Sequence, residues 1–168
     1  SELQLGRSET IADTARVMSR YVDAIMLRAA NHQTLLEMAE AATVPVINGL
    51  SDLLHPCQAL TDYFTLWERR GELEGLTLAY VGDGNNVCHS LMHACTMLGA
   101  DVTVITPKGH EPDAEVVEEC RVFCKASGAT LNVTNKLVEV AHHHAVYTDV
   151  WVSMGQADIA GKRRKLFN

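Results

Sequence analysis

Three stretches of this chain carry side chains that could do chemistry: His55-Pro56-Cys57-Gln58, Val81-Gly82-Asp83-Gly84-Asn85-Asn86, and Thr148-Asp149-Val150-Trp151-Val152-Ser153-Met154-Gly155-Gln156. The first offers an imidazole and a primary amide on one side of a helix's first turn, where free backbone N–H groups also favour an anion. Capping of that helix is the plainer role for the same two side chains. Arg28, at the end of a short apolar run, presents a planar fork of donors suited to phosphate or carboxylate; an ordinary surface ion pair is the alternative. Gly82-Asp83-Gly84 begins like a dinucleotide fingerprint, but Asn85-Asn86-Val87 follow and the third glycine is missing. A tight turn that carries the Asn86 amide forward is the better reading. Asp149 could hold an ammonium group, with Ser153 and the Met154 backbone completing a small polar site, or Asp149 and Ser153 could simply cap.

Other clusters are weaker. His142-His143-His144 point in different directions on a helix, so three adjacent imidazoles do not chelate one ion easily; they read as surface histidines near a helix end. His89 and His93 have the i, i+4 spacing of a zinc protease motif, but Ser90 stands where the glutamate is needed. The five cysteines, Cys57, Cys88, Cys95, Cys120 and Cys124, form no CxxC pair, which predicts reduced thiols in a cytoplasmic protein. Cys120 and Cys124 read as small buried hydrophobes on a helix.

These groups need elements to position them, and the chain alternates accordingly. A helix is expected over Thr10 to Tyr21, with Thr10 as N-cap and Asp13 completing a near capping box. A strand over Ala24 to Leu27 ends at Arg28, a helix spans His32 to Ala42, and a strand covers Val44 to Ile47. A long helix opens at His55, with Pro56 in its tolerated first turn and Leu60, Phe64 and Trp67 on its apolar face. Gly71 to Gly75 is a turn-rich break that predicts a domain boundary. Strands then follow at Leu76 to Val81, Asp101 to Ile105, Thr130 to Val133 and Ala145 to Val150. Helices separate them at Asn86 to Leu98, Asp113 to Ala126 and Leu137 to His142. This βαβαβαβ order predicts a parallel-sheet, doubly wound, three-layer α/β/α fold, and the shorter alternation upstream predicts parts of two similar domains. In such sheets ligands sit beyond the carboxyl ends of the strands, where Arg28, His55, Asn86 and Asp149 all fall.

Composition narrows the class. Of 168 residues 47% are hydrophobic and 21% charged, enough to bury a core and unlike a disordered chain. A formal net charge of −7 argues against a nucleic-acid partner, which needs clustered positive charge. The basic cluster from Lys162 to Lys165 reads as a solvated face or tail. No uninterrupted apolar run approaches membrane-spanning length.

Taken in order, these segments resemble an ornithine carbamoyltransferase. The resemblance rests on Leu5-Gly6-Arg7-Ser8-Glu9 with Asp13-Thr14-Ala15-Arg16-Val17, on Pro45-Val46-Ile47-Asn48-Gly49-Leu50, and on His55-Pro56-Cys57-Gln58. It continues through Gly82-Asp83-Gly84-Asn85-Asn86, Thr106-Pro107-Lys108-Gly109 with Glu111-Pro112, and Asp149 through Gln156. The Asp-x-Trp-x-Ser-Met-Gly run is a feature of the ornithine enzymes rather than of their aspartate sisters, and Asp-Gly-Asn-Asn resembles the biosynthetic type.

The resemblance implies transfer of a carbamoyl group from carbamoyl phosphate to L-ornithine, giving citrulline and phosphate in arginine biosynthesis without metal or organic cofactor. It implies that Arg28, His55 and Gln58 contact carbamoyl phosphate, with Arg28 and His55 near its carbonyl oxygen. Asn86, Asp149, Ser153 and Met154 would hold ornithine, Asp149 pairing with its α-ammonium. Residues 1–70 would be the C-terminal part of a carbamoyl-phosphate domain and 71–168 the N-terminal part of an ornithine domain, in a trimer-based homo-oligomer. The family's Ser-x-Arg-Thr-Arg phosphate loop and His-Cys-Leu-Pro loop have no counterpart here. Ala29-Ala30 and Ala157 stand where the family carries other types. The expectation is a central piece of such an enzyme, with little carbamoyl transfer of its own. A non-catalytic amino-acid-binding relative, or a transcarbamylase for another amine, is the alternative.

Overall fold

The computed structural model describes residues 9–150. The chain divides into two compact units, Ser1–Cys57 and Gln58–Asn168, each a parallel-sheet α/β arrangement. All sheet pairings among the described residues are parallel.

In the first unit, α1 (Ile11–Met18) starts where Thr10 accepts a hydrogen bond from the Asp13 N–H at 3.1 Å. The helix stops short of the expected Tyr21. Ser19 turns its hydroxyl back to the Ala15 carbonyl at 2.7 Å and takes the Thr43 N–H at 3.1 Å, which competes with a further helical turn. Strand β1 (Ile25–Arg28) pairs with β2 (Val46–Leu50), and α2 (His32–Ala41) connects them. Strand β2 begins after Pro45 and runs through Asn48-Gly49, which as a sequence look like a turn. The register shifts between Leu27 and Arg28, so Leu27 faces Asn48 while Arg28 faces Leu50. Gly49 is the extra residue of this bulge, and a Cβ there would lie 3.2 Å from the Leu27 carbonyl oxygen. The small core is Ala15, Ile25 and Met38, with Ile11, Leu27 and Val46 packed on it.

The second unit holds a four-stranded sheet in the order β5-β4-β3-β6, formed by β3 (Thr77–Val81), β4 (Asp101–Ile105), β5 (Leu131–Thr134) and β6 (Ala145–Thr148). The central strands β3 and β4 are buried through most of their length, as near-continuous apolar runs in a covered parallel sheet must be. The connections are α4 (Asn86–Met97), α5 (Ala114–Ser127) and a 3₁₀ turn over Leu137–Val140. Leu78, Tyr80, Leu91, Met92, Val102 and Val104 form the heart of this core. Among the described residues no helix is long and apolar enough to cross a membrane.

The long helix α3 (Pro56–Arg70) straddles the division between the units. The expected apolar face of Leu60, Phe64 and Trp67 is corrected. These residues are 60%, 55% and 46% exposed, while Ala59 and Tyr63 are buried. The helix carries two apolar stripes one residue apart, and Tyr63 decides between them because its hydroxyl reaches the Leu91 carbonyl at 3.2 Å. That anchor also ties α3 beyond Cys57 to the second unit, upstream of the Gly71–Gly75 break.

His142 and His144 are exposed and His143 is half-buried just after the 3₁₀ turn, as expected of surface histidines near a helix end, but two of the three also bond inward. His142 has φ 70°. Nε2 of His143 lies 3.0 Å from the Thr103 hydroxyl, and Nδ1 of His144 accepts the Thr77 N–H at 3.1 Å. They tie the start of β6 to β4 and β3.

Candidate functional site

Arg28 ends β1, at the register shift opposite the Gly49 bulge of β2. His55 immediately precedes α3. The loops that carry them are cross-linked within the first unit. Ser51 is buried, and its hydroxyl accepts the Leu54 N–H at 3.0 Å and meets His32 Nδ1 at 2.9 Å. The Asp52 carboxylate accepts the His32 N–H at 2.8 Å. The result is a stitched edge at the carboxyl end of the β1–β2 sheet, with Arg28 on one loop and His55 at the exit of the other.

In the second unit Gln58, the third residue of α3, has its amide orientation set by Asp62 one turn on. Gln58 Nε2 donates to Asp62 Oδ1 at 3.0 Å, which leaves the amide oxygen available as an acceptor. Burial first, and the Asp62 carboxylate second, push the Tyr147 phenol up, so Tyr147 stays protonated beside Asp62.

The densest polar cluster lies beyond the carboxyl ends of β3, β4 and β6. Asn85 is the N-cap of α4. Its Oδ1 accepts the Val87 and Cys88 N–H groups at 3.0 and 3.1 Å. Its Nδ2 donates to Asp149 Oδ2 at 2.8 Å. Asn86 is the first residue of α4 and Asp149 stands one residue past β6, so the two predicted ornithine residues described by the structure are carried on neighbouring strands. Ser153 and Met154 lie outside the described residues.

Two supports hold this cluster. Beneath it, Tyr80 is fully buried and donates to the Asp83 carbonyl at 2.8 Å, with its oxygen 3.4 Å from Asn85 Oδ1. Burial pushes its phenol well up, which keeps the donor proton in place. Tyr147 stacks on it with ring centroids 6.1 Å apart. Beside it, the β3 and β4 loops are locked together. The Gly84 N–H donates to the His110 carbonyl at 2.9 Å, and His110 Nδ1–H donates to Asp83 Oδ1 at the same distance. Glu111, in the same loop, has its carboxyl held below its ordinary range by backbone N–H groups of Glu111 and Gly109.

His89, on the apolar side of α4, accepts the Asp113 N–H through Nε2 at 3.0 Å and so positions the start of α5. Burial pushes the thiols of Cys88, Cys95, Cys120 and Cys124 up, Cys95 to about 12 and Cys120 to about 11. These are packing residues, not activated nucleophiles. Among the described residues no group of three His, Cys, Asp or Glu side chains could hold a metal ion.

Residue type and spacing do not single out Asn85, Asp83, His110 and Asp62 as site residues. Asn85 has a readable signal as the residue before a helix, and Asp62 has one in its i, i+4 spacing from Gln58. The pairings with Asp149 and His110 join residues distant in sequence and carry none.

Fold and cluster together define an open parallel α/β protein whose polar side chains gather beyond the carboxyl ends of its strands. Residues 1–68 match the carbamoyl-P binding domain of aspartate/ornithine carbamoyltransferase, and residues 74–168 match its Asp/Orn binding domain. The chain is 56% identical over 167 residues to the anabolic ornithine carbamoyltransferase of Pyrococcus furiosus, covering 99% of this chain and 53% of that protein. It has the same identity and coverage with the ornithine carbamoyltransferase of Pyrococcus horikoshii. The solved structure of the Pyrococcus furiosus enzyme superposes with a TM-score of 0.92 at 55% identity, covering 98% of this chain and 53% of that one. That of the anabolic enzyme from Campylobacter jejuni gives 0.90 at 36% identity, with 98% and 55% covered. The chain belongs to the aspartate/ornithine carbamoyltransferase family, and it spans about half the length of the curated relatives it matches.

Proposed function

We propose that this chain supplies carbamoyl-phosphate-binding and ornithine-binding residues to an ornithine carbamoyltransferase reaction, with little transfer by the chain on its own. The δ-amine of L-ornithine attacks the carbonyl carbon of carbamoyl phosphate, the carbon–oxygen bond to phosphate breaks, and the amine releases a proton as citrulline forms. One observation carries the reading: the Asp149 carboxylate is held 2.8 Å from Asn85 at the N-terminus of α4, next to Asn86. A fixed carboxylate beside a primary amide suits the ammonium and carboxylate of an amino acid.

Arg28 and His55 supply donors for the carbonyl oxygen as charge develops on it. Gln58, with its amide nitrogen engaged by Asp62, offers its oxygen to the carbamoyl NH₂ group. Asn86, Asp149, Ser153 and the Met154 backbone hold ornithine. Phosphate is already a good leaving group, so positioning and charge stabilisation supply most of the rate.

The two family matches, 1–68 and 74–168, support a division of labour near residue 70, with carbamoyl phosphate on the first part and ornithine on the second. The word anabolic in the names of the Pyrococcus furiosus and Campylobacter jejuni enzymes supports a place in arginine biosynthesis. A cytoplasmic setting and a trimer-based assembly belong to the same proposal.

Equilibrium titration with each ligand is the test. Asp149→Asn is expected to lose L-ornithine binding and keep carbamoyl phosphate binding, and His55→Ala the reverse. Undiminished ornithine binding in Asp149→Asn overturns the reading.

A further inference from the structure

The N-cap of α4 could be any of several residues. A cap needs only a side-chain oxygen that accepts backbone N–H groups, and Asp, Ser and Asn serve about equally. What distinguishes Asn is a neutral side chain that also carries an N–H donor. Here both ends of the amide are used. Its oxygen takes the Val87 and Cys88 N–H groups, and its nitrogen reaches Asp149 Oδ2. The two backbone donors fix which end of the amide is oxygen, so the other end must present N–H to the carboxylate. The Tyr80 hydroxyl, 3.4 Å from the same oxygen, closes the arrangement from below.

Asp149 needs such a restraint. It stands one residue past β6, the outermost strand of the sheet among the described residues, whose residues alternate between half-buried and exposed. Nothing in a regular strand fixes the rotamer of a carboxylate at that point. Among the described residues the Asn85 bond engages Oδ2, and this sets the direction in which Oδ1 is presented.

We propose that Asn85 is a positioning residue for amino-acid binding, coupling the N-terminus of α4 to the orientation of the Asp149 carboxylate that receives the substrate ammonium. This rests on the reading of Asp149 as an ornithine ligand. Asn85 joins two strand ends into one preorganised clamp. Any movement that frays the first turn of α4 then also releases Asp149.

The test is calorimetric titration of the chain with L-ornithine, alongside thermal unfolding, for the parent, Asn85→Ser and Asp149→Asn. Ser retains the capping oxygen but cannot reach Asp149, so Asn85→Ser should melt only about 2–4 °C below the parent, as for one lost hydrogen bond, and bind ornithine about tenfold more weakly. A residue that only caps would give parental affinity in Asn85→Ser. That result beside lost binding in Asp149→Asn overturns the role of Asn85 alone. No ornithine binding by the parent, or undiminished binding in Asp149→Asn, overturns the ornithine reading and the role of Asn85 with it. If Asn85→Ser fails to fold, Asn85→Asp serves, since it keeps the cap and sets a like charge against Asp149. Weaker binding there supports the proposal, and equal or tighter binding overturns it.

Discussion

Gly84→Ala tests how the polar cluster is held. A Cβ at Gly84 would collide with Pro112 N and Glu111 C and lie 2.7 Å from the Glu111 carbonyl oxygen. All three are backbone atoms, so no side chain can swing aside. The loop after β4 must move off the loop after β3. That displacement removes the Gly84 N–H bond to His110 and the Asp83–His110 contact. Overpacking costs about 1–3 kcal/mol, and each lost hydrogen bond adds roughly 1 kcal/mol. A total of about 3–5 kcal/mol corresponds to a fall of roughly 6–20 °C in melting temperature for a chain of this size. Scanning calorimetry measures it directly, with Gly109→Ala as the comparison. Gly109 has φ 80° and open space where a Cβ would sit, with nothing within 4 Å, so its substitution costs only the roughly 1–2 kcal/mol of a left-handed backbone. Ornithine affinity should fall in Gly84→Ala, because Asn85 and Asn86 follow directly, and stay parental in Gly109→Ala. A Gly84→Ala protein that melts within about 3 °C of the parent, or no lower than Gly109→Ala, refutes the loop-locking account.

Alkaline pH should destabilise the second unit. Burial holds Cys95 up to about 12 and Cys120 up to about 11. The folded state therefore keeps protons that the unfolded chain releases, and this stabilisation is complete below about pH 9 and lost as pH rises towards 12. Urea midpoints should fall over that range, and a flat profile to pH 11 contradicts it. Asp62→Asn should bring the Tyr147 phenol titration down, because Asp62 is second only to burial in raising it, and should weaken carbamoyl phosphate binding. Ultraviolet phenolate absorbance and equilibrium titration read the two effects, and an unmoved Tyr147 titration excludes the contact. His89→Leu strips the Asp113 N–H of its acceptor at the start of α5, at about 1–3 kcal/mol. Urea denaturation checks it, and a parental midpoint refutes the anchoring role.

Most of the element order is legible in the chain alone. Local signals suffice for that: Thr10 before an amphipathic run caps α1, Pro56 suits a first turn, and apolar runs separated by helices imply parallel strands. The family is legible too, because motifs such as His55-Pro56-Cys57-Gln58 and Gly82-Asp83-Gly84-Asn85-Asn86 keep their order and spacing. Local signals mislead where they conflict with tertiary demands. Asn48-Gly49 has turn chemistry, yet pairing with β1 holds it in β2 as a bulge. Leu60, Phe64 and Trp67 make the bulkier stripe of α3, yet the bond from Tyr63 to Leu91 buries the neighbouring one.

The candidate site divides along the same line. Residue types place Arg28, His55, Gln58, Asn86 and Asp149 at strand and helix ends, since such ends follow from the element pattern. The groups that hold them in place come from long-range packing. Asn85 meets Asp149 because β3 and β6 are neighbours in the sheet although far apart in the chain. Asp83 meets His110 because the loops after β3 and β4 pack backbone to backbone at a glycine. Hydrogen bonds of this kind depend on strand order and loop approach at the scale of an ångström, and no local periodicity encodes either.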